Sequence, residues 1–86
     1  MFISDRNGAL TDIVEIKGKY YYVDSCFTFD NSYETMVFPC TPNGTVTNWM
    51  HLYARWYKTS IDMRNGHKEI VENLENYLPI YYNGKE

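Results

Sequence analysis

Residues 46–79 read VTNWMHLYARWYKTSIDMRNGHKEIVENLENYLP, and the fold turns on the change of period inside this stretch. Val46 to Tyr57 is rich in aromatic and β-branched residues and reads as one strand. Its even positions, Val46, Asn48, Met50, Leu52, Ala54 and Trp56, make a mostly apolar face. Its odd positions are Thr47, Trp49, His51, Tyr53, Arg55 and Tyr57. From Thr59 onward the period becomes helical. At about 100° per residue, Met63, His67, Ile70, Val71, Leu74, Tyr77 and Leu78 fall on one stripe. Asp62, Arg64, Lys68, Glu69, Glu72 and Glu75 fall off it. Thr59 or Ser60 is placed to cap this helix, and Asp62 sits in the first turn, where a carboxylate suits the helix dipole. Pro79 ends it, because proline cannot donate the helical hydrogen bond.

Working back, Thr41-Pro42-Asn43-Gly44 is the strongest turn in the chain, since Pro suits the first central position and Asn-Gly tolerates positive φ. Before it, Glu34 to Phe38 predicts a strand ended by Pro39, so residues 34–57 form a hairpin. Further back, Leu10 to Ile16 alternates, Lys17-Gly18 makes a tight turn, and Lys19 to Phe29 is a long strand rich in Tyr, Val and Phe. Asp5-Arg6-Asn7-Gly8 and Asp30-Asn31-Ser32 punctuate the chain. The tail from Ile80 to Glu86 is expected to dock a short strand through its aromatics. The expectation is one α+β domain over residues 1–86. It comprises an antiparallel sheet of about four strands in two hairpins, with one C-terminal amphipathic helix packed on one face.

The composition bounds the function. With 86 residues the core is thin and must rest on large side chains, here nine Tyr, four Phe and two Trp. The net charge of −3 argues against a general nucleic-acid binder. Residues 1–43 carry three basic and six acidic side chains, and residues 44–86 carry five of each. No apolar run reaches the length of a membrane span. The first residues turn polar at once and resemble no signal peptide, so Cys26 and Cys40 are expected to be reduced packing thiols in an intracellular protein.

Catalytic and metal signatures are weak. Cys26, Cys40, His51 and His67 are singly spread, whereas zinc frameworks place ligands in close pairs. There is no Gly-x-Ser-x-Gly and no glycine-rich phosphate loop. His67 lies near the centre of the helix stripe and reads as a core or boundary histidine whose ring nitrogens find a backbone or tyrosine partner; a role as general base or metal ligand needs a second group nearby. Gly66, costly in mid-helix, implies close approach of helix and sheet or a functional contact. No cofactor and no metal is expected.

Glu34-Thr35-Met36-Val37-Phe38, the Asn-Gly turn, Trp49, Leu52-Tyr53, Arg55-Trp56-Tyr57, Thr59 and Gly66-His67 form an ordered series. It resembles small proteins of tailed phages and prophages, over about residues 33–75. Those proteins often carry several acidic residues at the helix start, where this chain has Ser60-Ile61-Asp62-Met63-Arg64-Asn65. The resemblance implies a phage-type accessory protein in the cytoplasm of a bacterial host, acting without catalysis by binding a host or phage protein. It implies no catalytic residue. The candidate binding residues are Trp49, His51, Tyr53, Arg55 and Tyr57, because Trp, Tyr and Arg are enriched at binding hot spots and a sheet covered on one side should otherwise be polar on the other. Two readings of this stripe stand. It is a surface for a partner or a homodimer, or it is covered by the N-terminal hairpin or the tail as a second thin core. Single-stranded nucleic acid, stacking on the aromatics beside Arg55, Lys58, Arg64 and Lys68, is the alternative partner, and a small structural homo-oligomer is another.

Overall fold

The computed structural model describes residues 2–5, 9–28 and 32–79. It is an antiparallel meander of five strands, β1 (Phe2–Asp5), β2 (Ala9–Ile16), β3 (Lys19–Phe27), β4 (Tyr33–Cys40) and β5 (Tyr53–Tyr57), in spatial order 1-2-3-4-5. A helix, α1 (Ser60–Glu72), and a 3₁₀ turn, η1 (Leu74–Tyr77), cross one face. The α+β architecture is the expected one, with β1 added at one edge. The turn at Arg6-Asn7-Gly8, the break at Asp30-Asn31 and the tail from Ile80 lie outside the described residues.

The β2–β3 turn follows from its residues. Lys17 and Gly18 both take positive φ, 52° and 84°, as a hairpin turn with the native twist requires. The Gly18 N–H donates to Glu15 Oε2 at 2.7 Å. The register then sorts the side chains. Leu10, Asp12, Val14 and Ile16 of β2 share a face with Tyr21, Val23 and Ser25 of β3, Thr35 and Val37 of β4, and Tyr53, Arg55 and Tyr57 of β5. The helix lies on this face. Tyr21, Val23 and Val37 meet Ile70, Leu74 and Leu78 in one buried cluster. Each such side chain contributes about 1.5–3 kcal/mol when fully buried.

Two boundaries differ from the expectation. The helix does not run unbroken to Leu78. Asn73 leaves helical geometry at φ −129°, and both its backbone N–H and its side-chain amide donate to Glu69 O. Leu74 and Leu78 stay buried because the 3₁₀ turn returns the stripe to the sheet. Thr59 is the cap, its Oγ1 accepting from Asp62 N at 3.0 Å.

The larger correction concerns residues 46–57, which are not one strand. Only Tyr53–Tyr57 joins the sheet, and Cys40 makes an isolated bridge with Val46. An unbroken ladder continuing from Val37↔Tyr53 would set Cys40 opposite Met50, so four residues are looped out. Pro39 is the cause. The carbonyls of Val37 and Pro39 both point toward β5, accepting from Leu52 N at 2.7 Å and Thr47 N at 3.0 Å. Pro39 has no N–H to return, so the β4–β5 ladder fails at that position. The β3 side of β4 uses the intervening residues, and β4 therefore continues through Pro39 to Cys40. Asn48 stabilises the excursion, its Oδ1 accepting from Met50 N at 2.9 Å.

Candidate functional site

The sheet face away from the helix is formed by Thr11, Ile13 and Glu15 of β2, Tyr20, Tyr22, Asp24 and Cys26 of β3, Glu34, Met36 and Phe38 of β4, and Ala54 and Trp56 of β5. The 41–52 loop covers one end of it. Gly44, at φ 90°, sits so close to Ile13 that an added Cβ would fall 2.8 Å from its Cδ1. Trp49 stands edge-on to Phe38 with ring centroids 5.1 Å apart. Phe38 is buried beneath it, yet Trp49 itself is 71% exposed, and Met50 at the loop tip is 76% exposed. At the other end of the face Trp56 is 59% exposed. Large apolar side chains exposed on one face mark a binding surface more often than isolated ones do.

The five residues singled out from sequence do not stay together. Trp49 and His51 lie on the looped-out segment and are exposed. Tyr53, Arg55 and Tyr57 face the helix instead, reversing the expected assignment of odd and even positions. The register forces this reversal. Tyr53 and Arg55 pair with Val37 and Thr35, both fully buried toward the helix. Tyr53 packs on Tyr77, centroids 4.9 Å apart. Arg55 donates from Nε to Tyr53 OH at 3.0 Å and from Nη1 to Glu69 Oε1 at 2.9 Å, and lies 5.1 Å from the centre of the Tyr77 ring. Tyr77 OH donates to the other oxygen of Glu69. Burial works against the Arg55 charge, but hydrogen bonds to Glu69, Tyr53 and Tyr77 outweigh it and raise its pKa. The Tyr77 hydroxyl and the guanidinium hold the Glu69 carboxyl below its ordinary value. These three residues clamp β5 to the helix.

Tyr57 also ends a buried polar chain that the sequence did not announce. With His67 Nε2–H donating to Asp12 Oδ2 at 2.8 Å, the chain is satisfied throughout. Ser25 Oγ donates to His67 Nδ1 at 2.6 Å, Thr35 Oγ1 donates to Ser25 Oγ at 2.5 Å, and Tyr57 OH donates to Thr35 Oγ1 at 3.0 Å. His67 is buried as expected, but its ring nitrogens meet a carboxylate and a serine hydroxyl rather than the expected backbone or tyrosine partner. Burial pushes the Tyr57 hydroxyl above its ordinary value of 10.0. Asp12, His67 and Ser25 have the composition of a nucleophilic triad. However, Ser25 has no solvent exposure and its Oγ is held by Thr35, so no substrate reaches it in this conformation. The Asp12 end opens instead on a pocket of about 310 Å³ with Leu10, Arg64, Lys68, Val71 and Glu72 in its wall. The chain joins β2, β3, β4 and β5 to α1.

Cys26 and Cys40 lie on the face away from the helix and are not joined by a disulfide, and burial raises the Cys40 pKa. Among the described residues no group of three or more His, Cys, Asp or Glu is placed to hold a metal ion. No helix among them is long and apolar enough to cross a membrane.

Sequence reasoning missed Met50 and Trp56, which it had assigned to the covered side. The signal lay in how the turn closes: Thr41 N–H bonds Thr45 O, which sets Cys40 opposite Val46 and pairs even with even positions, and the four residues looped out further on leave that parity unchanged. In comparisons with known proteins, no family model, no curated protein and no solved structure matches this chain.

Proposed function

We propose that this is a small accessory protein of the phage type that acts without catalysis, by binding a host or phage protein in the bacterial cytoplasm. The observation that carries this reading is the exposure of Trp49 and Trp56 on the sheet face that the helix leaves open, with Met50 exposed next to Trp49 on the loop. Bulky aromatics at an interface supply most of its energy, and leaving them in water has no structural benefit. The sealed position of Ser25 supports the non-catalytic part. Against single-stranded nucleic acid, β2–β5 place no Lys or Arg on this face, and Arg55 is committed to Glu69 on the other.

The test compares the wild type with Trp49→Ser/Trp56→Ser in affinity capture from bacterial lysate. The expected result is a specific protein partner retained by the wild type and lost by the double variant, whose thermal midpoint stays within a few degrees. Equal capture by both proteins would remove the open face from the function.

A further inference from the structure

The strand next to the exposed aromatics is also an edge. Among the described residues β5 pairs only with β4. Tyr53, Arg55 and Tyr57 turn their backbone groups toward β4, in line with Val37, whose carbonyl points to β5. The N–H and C=O groups of Ala54 and Trp56 therefore point outward, along the same border where the Trp56 side chain stands exposed. Natural edges are usually blunted by an outward lysine, a proline or a bulge. Here the two outward residues are an alanine and a tryptophan.

Charge adds a second, independent observation. Within β2–β5 the cations are Lys19 and Arg55, and both lie on the helix side. Three of the four acids, Glu15, Asp24 and Glu34, lie on the open face. Glu34 sits directly opposite Trp56 across the β4–β5 pair. The corner thus combines strand backbone that has no partner strand among the described residues, an exposed indole and a carboxylate.

We propose that this corner takes an extended, positively charged peptide segment as a sixth strand. Its backbone pairs with Ala54 and Trp56, an apolar side chain packs on Trp56, and a Lys or Arg reaches Glu34. This is strand addition, in which main-chain hydrogen bonds give affinity and alternate side chains give specificity. It rests on the reading of the open face as a binding surface. A second copy pairing edge to edge is the less favoured occupant, because it would bring two acidic faces to one border. An anionic nucleic-acid strand is disfavoured for the same reason.

Selection of a random peptide library on the immobilised protein tests this. The expected winners carry net positive charge and an aromatic or aliphatic anchor. A winning synthetic peptide should lose affinity by about tenfold or more against Trp56→Ser, and likewise against Glu34→Lys. N-methylation at the alternate residues that face β5 should abolish binding, whereas methylation at the other residues should not. Acidic or neutral winners that still need Trp56 would overturn the basic-segment inference and leave the binding function standing. So would indifference to N-methylation. Winners bound equally by Trp49→Ser/Trp56→Ser would overturn both. A dimer in sedimentation that dissociates with Trp56→Ser and blocks the peptide would make the second copy the occupant and overturn the proposal.

Discussion

Replacing Gly66 by alanine sets two effects of opposite sign against each other. Alanine is better than glycine in a helix interior by about 1 kcal/mol. At this position, however, the new Cβ would lie 2.6 Å from Tyr57 Cζ, and nearer still to Cε1 and the hydroxyl. The ring must move, and relieving such overpacking costs about 1–3 kcal/mol. Movement also takes the Tyr57 hydroxyl from Thr35, a bond of 3.0 Å, at about 1 kcal/mol. The expected net loss is about 1–3 kcal/mol, which for a domain of this size lowers the midpoint by roughly 4–8 °C per kcal/mol. Urea denaturation of a double-mutant cycle with Tyr57→Val isolates the contact. In that background the clash is gone, and Gly66→Ala should become neutral or stabilising by up to about 1 kcal/mol. Stabilisation by Gly66→Ala in the wild type would refute the packing account. So would an equal loss in both backgrounds.

Three further outcomes follow from the same geometry. His67→Leu leaves the Asp12 carboxylate without its partner and should cost about 2–4 kcal/mol in urea; adding Asp12→Leu should recover part of that, since removing both polar partners is cheaper than removing one. Tyr57 and Cys40 are held protonated by burial, so the unfolded chain releases these protons first; stability should be full below their ordinary values of 10.0 and 9.0 and fall as pH rises through that range, which thermal melts across the alkaline limb would register. Arg55→Lys cannot bond Tyr53 and Glu69 with one planar fork, so it should lower the midpoint and return the Glu69 carboxyl toward its ordinary value, read by NMR titration.

How far the chain was legible depended on whether a residue's role is local. Lys17-Gly18 announces its turn because only positive φ closes it, and Thr59 and Asp62 announce the helix start because the free N–H groups there need an acceptor. Gly66 announced a close approach, although not that Tyr57 makes it. The apolar stripe of Met63, His67, Ile70 and Leu74 identified the covered side of the helix from spacing alone. Asp12, in contrast, looked like a polar interruption in an apolar strand. Its meaning depends on His67, far along the chain, and on Ser25 and Thr35, which become its neighbours only once three strands are in register.

The sequence by itself determined an α+β domain with a C-terminal amphipathic helix on an antiparallel sheet, because period and turn chemistry are properties of neighbouring residues. Only the tertiary structure decided which side of the last strand faces water. A side chain's face depends on its register with the partner strand, and a shift of one residue exchanges the two faces. Thr41 N–H bonding Thr45 O sets Cys40 opposite Val46 and fixes that parity, and Pro39, by withholding one N–H, lets Asn48–His51 loop out, an even number that preserves it. Tyr53, Arg55 and Tyr57 are thereby turned under the helix, and Trp49, Met50 and Trp56 are left to face solvent.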